Sequence, residues 1–219
     1  MSENYKQAWE EYYGREMPQR PPSKVLASFI AFLKEQGVNF QTDTIIESFC
    51  GRGRNTTAMA LEGMIVIGVD YVETAIRQAK QFAAKKEANT RFLVADLTQN
   101  WDFVDPSTVA AVVDFDGSVS LPQPDRTEAI KHAVDVLRPG GFYLLTSTTA
   151  AELVEMFPAG DGGYIHPKTG AYKIHLESSK LTREFEGLKL IKHENIFQGT
   201  DVVNGREIQY TKLIAYFQK

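Results

Sequence analysis

The chain has 219 residues, 43% hydrophobic, 24% charged and 11% aromatic, a balance that fits a single globular domain and excludes a disordered, collagenous or coiled-coil chain. A net charge of −4, a pI of about 5.6 and the lack of any long basic run weigh against a nucleic-acid partner. No apolar run approaches the ~18 residues that would span a bilayer, so no membrane role is expected, and the single cysteine, Cys50, excludes an intramolecular disulfide or a cysteine-based zinc cluster.

Residues 1–22 read as a segment apart. Tyr5, Trp9, Tyr12 and Tyr13 alternate with charges, Glu3, Glu10 and Glu11 among them. Without an apolar core this start is no signal peptide, and with the lone cysteine it fits a cytoplasmic protein. Pro18, Pro21 and Pro22 cannot sit inside a helix. Ser23 is the expected N-cap of a helix over 23–36, with Val25, Leu26, Phe29, Ile30, Phe32 and Leu33 at helical spacing and Gly37 as its stop.

The pattern then alternates. A short strand over 44–47 leads into a turn at Gly51 and Gly53 and a helix over 55–62. An apolar run, 64–69, ends at Asp70 and precedes a helix over 72–86, which sets Ala75, Ile76, Ala79, Phe82 and Ala83 on one face. Strands over 91–95 and 109–113 end at Asp96 and Asp114. A capped helix starts near Pro124, Asp125 and Glu128 and runs to Leu137, and Arg138-Pro139-Gly140-Gly141 turns into a strand over 142–146. Short apolar runs separated by helical patterns predict an α/β fold: a doubly wound, mostly parallel sheet between two helical layers.

The last third differs. Pro158, Pro167 and four glycines (Gly160, Gly162, Gly163, Gly170) predict a loop over 158–176 that could cover the sheet edge. A short helix near 179–186 and strands over 188–197 and 208–217 follow, with Asn204-Gly205 as a hairpin turn. The two strands bring the expected sheet to seven and close it with an antiparallel C-terminal hairpin.

Ligands of open parallel sheets bind beyond the carboxyl ends of the strands. Glu47, Asp70, Asp96 and Asp114 fall at four such ends. Each alone could be a turn or a helix cap. Together, beside a glycine loop, they point to a nucleoside-type ligand. Gly51 and Gly53 leave room for close approach to the backbone. Asp70, 19 residues beyond Gly51, is spaced to accept both ribose hydroxyls. Asp96 can accept from an exocyclic amine. Phe92, Leu97, Trp101 and Phe103 are either base-facing or core. A dinucleotide fingerprint would need a small residue where Thr56 stands. Carboxylates and aromatic faces suit a sulfonium cation better than a pyrophosphate, although an NAD-dependent oxidoreductase stays open on Gly51-x-Gly53 and Asp70.

The chain resembles the class I S-adenosylmethionine-dependent methyltransferases. The likeness rests on Ile45-Ile46-Glu47-Ser48-Phe49-Cys50-Gly51-Arg52-Gly53, on Val66-Ile67-Gly68-Val69-Asp70, on Phe92-Leu93-Val94-Ala95-Asp96-Leu97, on Val112-Val113-Asp114-Phe115-Asp116 and on Leu137-Arg138-Pro139-Gly140-Gly141. It covers about residues 40–148, read as the cofactor-binding core of one domain spanning 1–219. More loosely, the layout is similar to small-molecule enzymes of the thiopurine and tellurite-resistance type. Phe49 departs from the family, which usually has glycine there.

The resemblance implies S-adenosylmethionine as cofactor. It implies that Glu47 and the backbone of Phe49, Cys50, Gly51 and Gly53 hold the methionine end, and that Asp70 holds the ribose with Tyr71 beside it. Asp96 and the Leu97 backbone would meet adenine, and Asp114, Phe115 and Asp116 would line the reaction centre. In-line methyl displacement needs mainly alignment and water exclusion. Asp116, His166 and His175 are candidate bases, Asp116 the foremost, should the acceptor have to lose a proton. Asp114 and Asp116 lack further ligands for a metal. Tyr12 and Tyr13 could lid the cofactor, and the N-terminal segment and the 158–176 loop are left to enclose an acceptor. Asp114-Phe115-Asp116-Gly117 is unlike the motif of methyltransferases that act on planar nitrogens. The expectation is transfer to a small molecule by a monomer or homodimer. The alternatives are a non-catalytic protein that binds the cofactor or its product, or a protein or RNA methyltransferase.

Overall fold

The computed structural model describes residues 3–147, 157–165, 170–203 and 206–219. Seven strands form one sheet: β1 (Thr44–Ser48), β2 (Ile65–Asp70), β3 (Arg91–Val94), β4 (Val109–Phe115), β5 (Leu137–Ser147), β9 (Lys189–Val203) and β10 (Arg206–Gln218). Their order is β3-β2-β1-β4-β5-β10-β9. The first five are parallel, while β10 runs antiparallel to both β5 and β9. The chain starts at the centre with β1, winds outward through β2 and β3, then returns to β4. The reversal of direction lies between β1 and β4, where such sheets open a crevice.

Alternation along the strands fills both faces. Ile45 and Val113 join one apolar cluster with Phe29, Phe32 and Leu33 of α2 (Leu26–Glu35). Ile46 and Val112 join the other, with Ile130 and Ala133 of α5 (Gln123–Val136) and Phe185, which follows α6 (Leu181–Glu184). A one-residue slip of β1 would exchange these faces, so its register is fixed by the packing. α3 (Arg54–Leu61) and α4 (Glu73–Lys85) complete the winding around β2.

Three regions differ from the sequence expectation. Ser23 is not a side-chain cap. α2 begins at Leu26, whose N–H donates to the Ser23 carbonyl at 3.0 Å, and the Ser23 N–H donates to Asn55 Oδ1 at 2.7 Å. The N-terminal segment opens with a helix, α1 (Glu3–Gly14), packed on α4. Its Glu10 carboxylate accepts the Glu73 N–H at 3.0 Å, and Gln78 Nε2 donates to the Tyr13 carbonyl at 2.9 Å. The expected loop over 158–176 contains a small antiparallel sheet of β6 (Phe157–Pro158), β7 (Tyr164–Ile165) and β8 (Tyr172–Lys173). Ile174 N–H ties it to the Val119 carbonyl, 2.8 Å away, in the turn after β4. The expected Asn204-Gly205 turn lies outside the described residues, and its neighbours Val203 and Arg206 pair across the hairpin.

Candidate active site

Because β3, β2, β1 and β4 are parallel neighbours, Glu47, Asp70, Asp96 and Asp114 come to one edge of the sheet. Their surroundings differ. Glu47 is buried; burial raises its carboxyl to about 7, although it accepts from Thr56 Oγ1 and, at 3.0 Å, from Asn55 Nδ2. Asp70 accepts the Gly51 N–H at 2.8 Å and the Val72 N–H at 3.0 Å, and burial raises it to about 6. Asp114 faces inward: it accepts from the Gly117 N–H at 2.7 Å, the Ser118 N–H and the Tyr143 hydroxyl at 3.0 Å. Burial raises it, too, to about 6. Two lone pairs per oxygen are thus largely used on its own turn, and Asp114, like Asp96, stands off the cavity wall that Glu47 and Asp70 reach.

The loop after β1 carries its backbone strain at Phe49, with φ of 55°. That left-handed conformation costs a residue with Cβ roughly 1–2 kcal/mol, which explains why glycine suits this position. Phe49 is accommodated because Gly117 has no side chain. A Cβ there would lie 2.3 Å from Phe49 Cβ and 2.6 Å from its ring. Gly53, at φ 71°, has no room either: an added Cβ would meet the Phe92 ring at 2.7 Å and Ala79 at 2.8 Å. Phe92 is therefore core, packed on the glycine loop. Leu97 and Trp101 are buried as well, with Trp101 Nε1 donating to the Leu97 carbonyl at 3.0 Å and its ring stacked on Phe103. The core reading, rather than a base-sandwiching one, holds for these side chains.

A cavity of about 200 Å³ lies over β1, β2 and β4. Asp70, Tyr71 and Val72 form one wall, and Phe49, Phe115 and Asp116 form another. α1 supplies the roof with Trp9, Tyr12 and Tyr13, whose rings contact one another at 5.2–5.8 Å between centroids. A second hollow of about 150 Å³ continues past Tyr13 to Glu47, Cys50, Gly51 and Asn55. Tyr13 lies directly on the glycine loop, with its hydroxyl 2.5 Å from where a Gly51 Cβ would be. Asp96 is reached by α1 instead: Lys6 Nζ is 3.0 Å from its carboxylate. Burial acts against ionisation there, but the Thr98 hydroxyl and Lys6 hold Asp96 below the ordinary range.

Asp116, at φ 64°, has an opposite environment to Glu47 and Asp70. Burial opposes its charge, yet the charges of Lys212 and Lys173 and hydrogen bonds from Lys212 and Thr146 hold it below its usual value. Of the histidines singled out in the sequence, His175 lies off the cavity wall, and His166 lies outside the described residues. No group of three potential ligands that could hold a metal ion exists among the described residues. Sequence reasoning missed Arg20, Arg54 and Lys173 on the wall and Lys212 behind Asp116. Arg54 directly follows the glycine loop, whereas Arg20, Lys173 and Lys212 arrive from segments distant in the chain, so no local pattern marks them.

A crevice at the strand-order reversal, a glycine loop after β1 and an acid ending β2 define a nucleoside-binding α/β domain. The family model described as "Methyltransferase domain" matches residues 45–141. The ubiquinone biosynthesis O-methyltransferase of Coxiella burnetii is 28% identical over 151 residues, which cover 61% of this chain and 62% of that protein. An S-adenosylmethionine-dependent methyltransferase from Methanosarcina mazei has the same fold, with a TM-score of 0.70 at 17% identity, covering 91% of this chain and 99% of that one. So has magnesium protoporphyrin IX methyltransferase from Synechocystis, solved with the cofactor bound, with a TM-score of 0.59 at 17% identity over 97% of this chain and 90% of that one. Residues 45–141 thus match a methyltransferase domain, and the chain shares the fold of S-adenosylmethionine-dependent methyltransferases of known structure. Its site fits their cofactor. The Tyr71 hydroxyl on the cavity wall is buried without a hydrogen-bond partner among the described residues, and Asp70 lies on the same wall beside it. No helix among the described residues is long and apolar enough to cross a membrane.

Proposed function

We propose that the protein transfers a methyl group from S-adenosylmethionine to a small-molecule acceptor. The observation that carries this reading is the enclosure of the strand ends. α1 and the β6–β8 sheet meet above them through the Tyr5–Tyr172 edge contact, 5.6 Å between centroids, leaving a partly enclosed space of small-molecule size. A nucleic acid or a folded protein would need an open groove. The name of the Coxiella relative, an O-methyltransferase of ubiquinone biosynthesis, supports a small acceptor with a reacting oxygen.

The bound cofactor supplies a methyl carbon activated by its sulfonium. Glu47 and the backbone from Phe49 to Gly53 orient the methionine end. Asp70 accepts from the ribose hydroxyls, with Tyr71 beside it, and Asp96 with the Leu97 backbone meets adenine once Lys6 yields its place. Phe49, Phe115 and Asp116 border the reacting carbon, while Trp9, Tyr12 and Tyr13 exclude water. Asp114 fixes the turn that carries Gly117 and Ser118.

Calorimetry with S-adenosylhomocysteine, followed by a methyl-transfer screen over a metabolite panel, tests the reading. Micromolar binding and transfer to at least one acceptor are expected. Binding without any transfer would convert the assignment to a cofactor-holding protein. Preference for NAD would replace it with an oxidoreductase.

A further inference from the structure

The wall of the cavity carries more positive than negative charge. Its acids are Asp70 and Asp116, against Arg20, Arg54 and Lys173. Asp70 is engaged by the Gly51 and Val72 N–H groups, and the charge of Asp116 is already matched by Lys212 from β10. Arg54 donates to the Pro21 carbonyl at 3.0 Å. The side chains of Lys173, half-buried on β8, and Arg20, on the strap after α1, have no hydrogen-bond or ion-pair partner among the described residues. Lys173 and Lys212 act on the same Asp116 carboxylate, and two half-buried ammonium groups sharing one carboxylate leave a positive charge that an anionic ligand would match. The rest of the wall is aromatic: Trp9, Tyr12, Phe49, Tyr71 and Phe115.

The same cavity is short of a base. Asp116, the acid nearest the expected reaction centre, is tied to Lys212 and Thr146. Neither described lining contains a histidine.

We propose that the acceptor is a planar aromatic molecule bearing an anionic oxygen group, held between Lys173 and Arg20 and stacked among the aromatic side chains. This deepens the methyltransferase reading and rests on it. The chemistry balances without a base when that oxyanion is itself the nucleophile. A lone pair of the oxyanion forms the new O–CH3 bond as the S–CH3 bond breaks, and the bonding pair goes to sulfur. The sulfonium becomes a neutral thioether and the acceptor a neutral ether or ester, with no proton moved. Lys173 and Arg20 attract and orient the anion, and the low-dielectric enclosure strengthens its pull toward the sulfonium.

Isosteric probes test the charge directly. The protein saturated with S-adenosylhomocysteine is titrated with benzoate, benzamide and benzamidine, which share a planar shape and carry charges of −1, 0 and +1. Benzoate is expected to bind at least tenfold tighter than benzamide, and benzamidine not at all. Lys173→Met with Arg20→Met should weaken benzoate tenfold or more, and Lys173→Arg should restore most of it. Binding of S-adenosylhomocysteine, measured in every variant, reports on the fold and on the cofactor site. If S-adenosylhomocysteine does not bind the wild-type protein, the methyltransferase reading falls and this inference with it. If it binds, but benzamide or benzamidine matches benzoate, or none of the probes binds, or the double variant keeps its benzoate affinity, the anionic acceptor alone is overturned.

Discussion

Glu47 and Asp70 on one side of the crevice, and Asp116 on the other, are carboxylates a few strands apart with opposite acidities. Burial lifts Glu47 to about 7 and Asp70 to about 6, offset mainly by neutral donors and, at Glu47, least by the charge of Arg54. Asp116 is also deep, but Lys212 and Lys173 pull it below the ordinary carboxylate range. Desolvation wins where the partners are dipoles and loses where they are whole charges. The lesson is functional as well. The cofactor side holds latent negative charge that an incoming cation can draw out, whereas the acceptor side has its negative charge already spent and positive charge to spare.

Removing cations and anions in turn should expose that asymmetry. The largest effect is expected for Lys212→Met, which strands the Asp116 carboxylate in a largely buried place. A loss of about 2–3 kcal/mol in urea unfolding is expected, whereas Glu47→Gln, a neutral copy of a group already near neutrality, should cost less than about 1 kcal/mol. Equal costs would erase the contrast. Next, Asp70→Asn should weaken S-adenosylhomocysteine binding by about 1.5–3 kcal/mol, the worth of a charge-assisted hydrogen bond. Unchanged affinity by calorimetry would move the ribose elsewhere.

The seam between the two sides is the Phe49–Gly117 contact. Gly117→Ala places a methyl 2.3 Å from Phe49 Cβ without straining its own backbone, whose φ is −81°. It should cost about 1–3 kcal/mol as overpacking. In a Phe49→Gly background most of that cost should vanish, and a coupling energy near zero in the double-mutant cycle would break the seam.

The smallest effect is a pH trend. Glu47, Asp70 and Asp114 have folded values raised above the unfolded ones, so between about pH 4 and 7 the folded protein binds more protons than the unfolded chain. Stability without cofactor should therefore fall as pH rises through that window and level off above it. Asp96 and Asp116 act oppositely, but only below their ordinary range. Cofactor affinity should rise from pH 6 to pH 8, because ionised Glu47 and Asp70 are the better acceptors for its cationic and hydroxyl groups. Thermal melts and calorimetry in buffers of different ionisation enthalpy would show the two trends. Parallel rather than opposed slopes would contradict the assignment.

The sequence by itself determined the alternation of strands and helices, the glycine bend at Gly51 and Gly53 and the acids at four strand ends. Each is written in a local signal: a period of two or of 3.6 residues, a residue that tolerates positive φ, a polar residue closing an apolar run. It also singled out Phe49 as the departure in the loop, but not its accommodation, since Gly117 is 68 positions away in the chain. Only the tertiary structure decided that Asp114 turns inward to Tyr143, that Lys6 reaches Asp96, and that Lys212 pairs with Asp116 while the charge of Lys173 acts on the same carboxylate. These contacts join α1, β4, β8 and β10, segments far apart in sequence. Their charges meet only after the sheet has closed, and no window along the chain contains both partners.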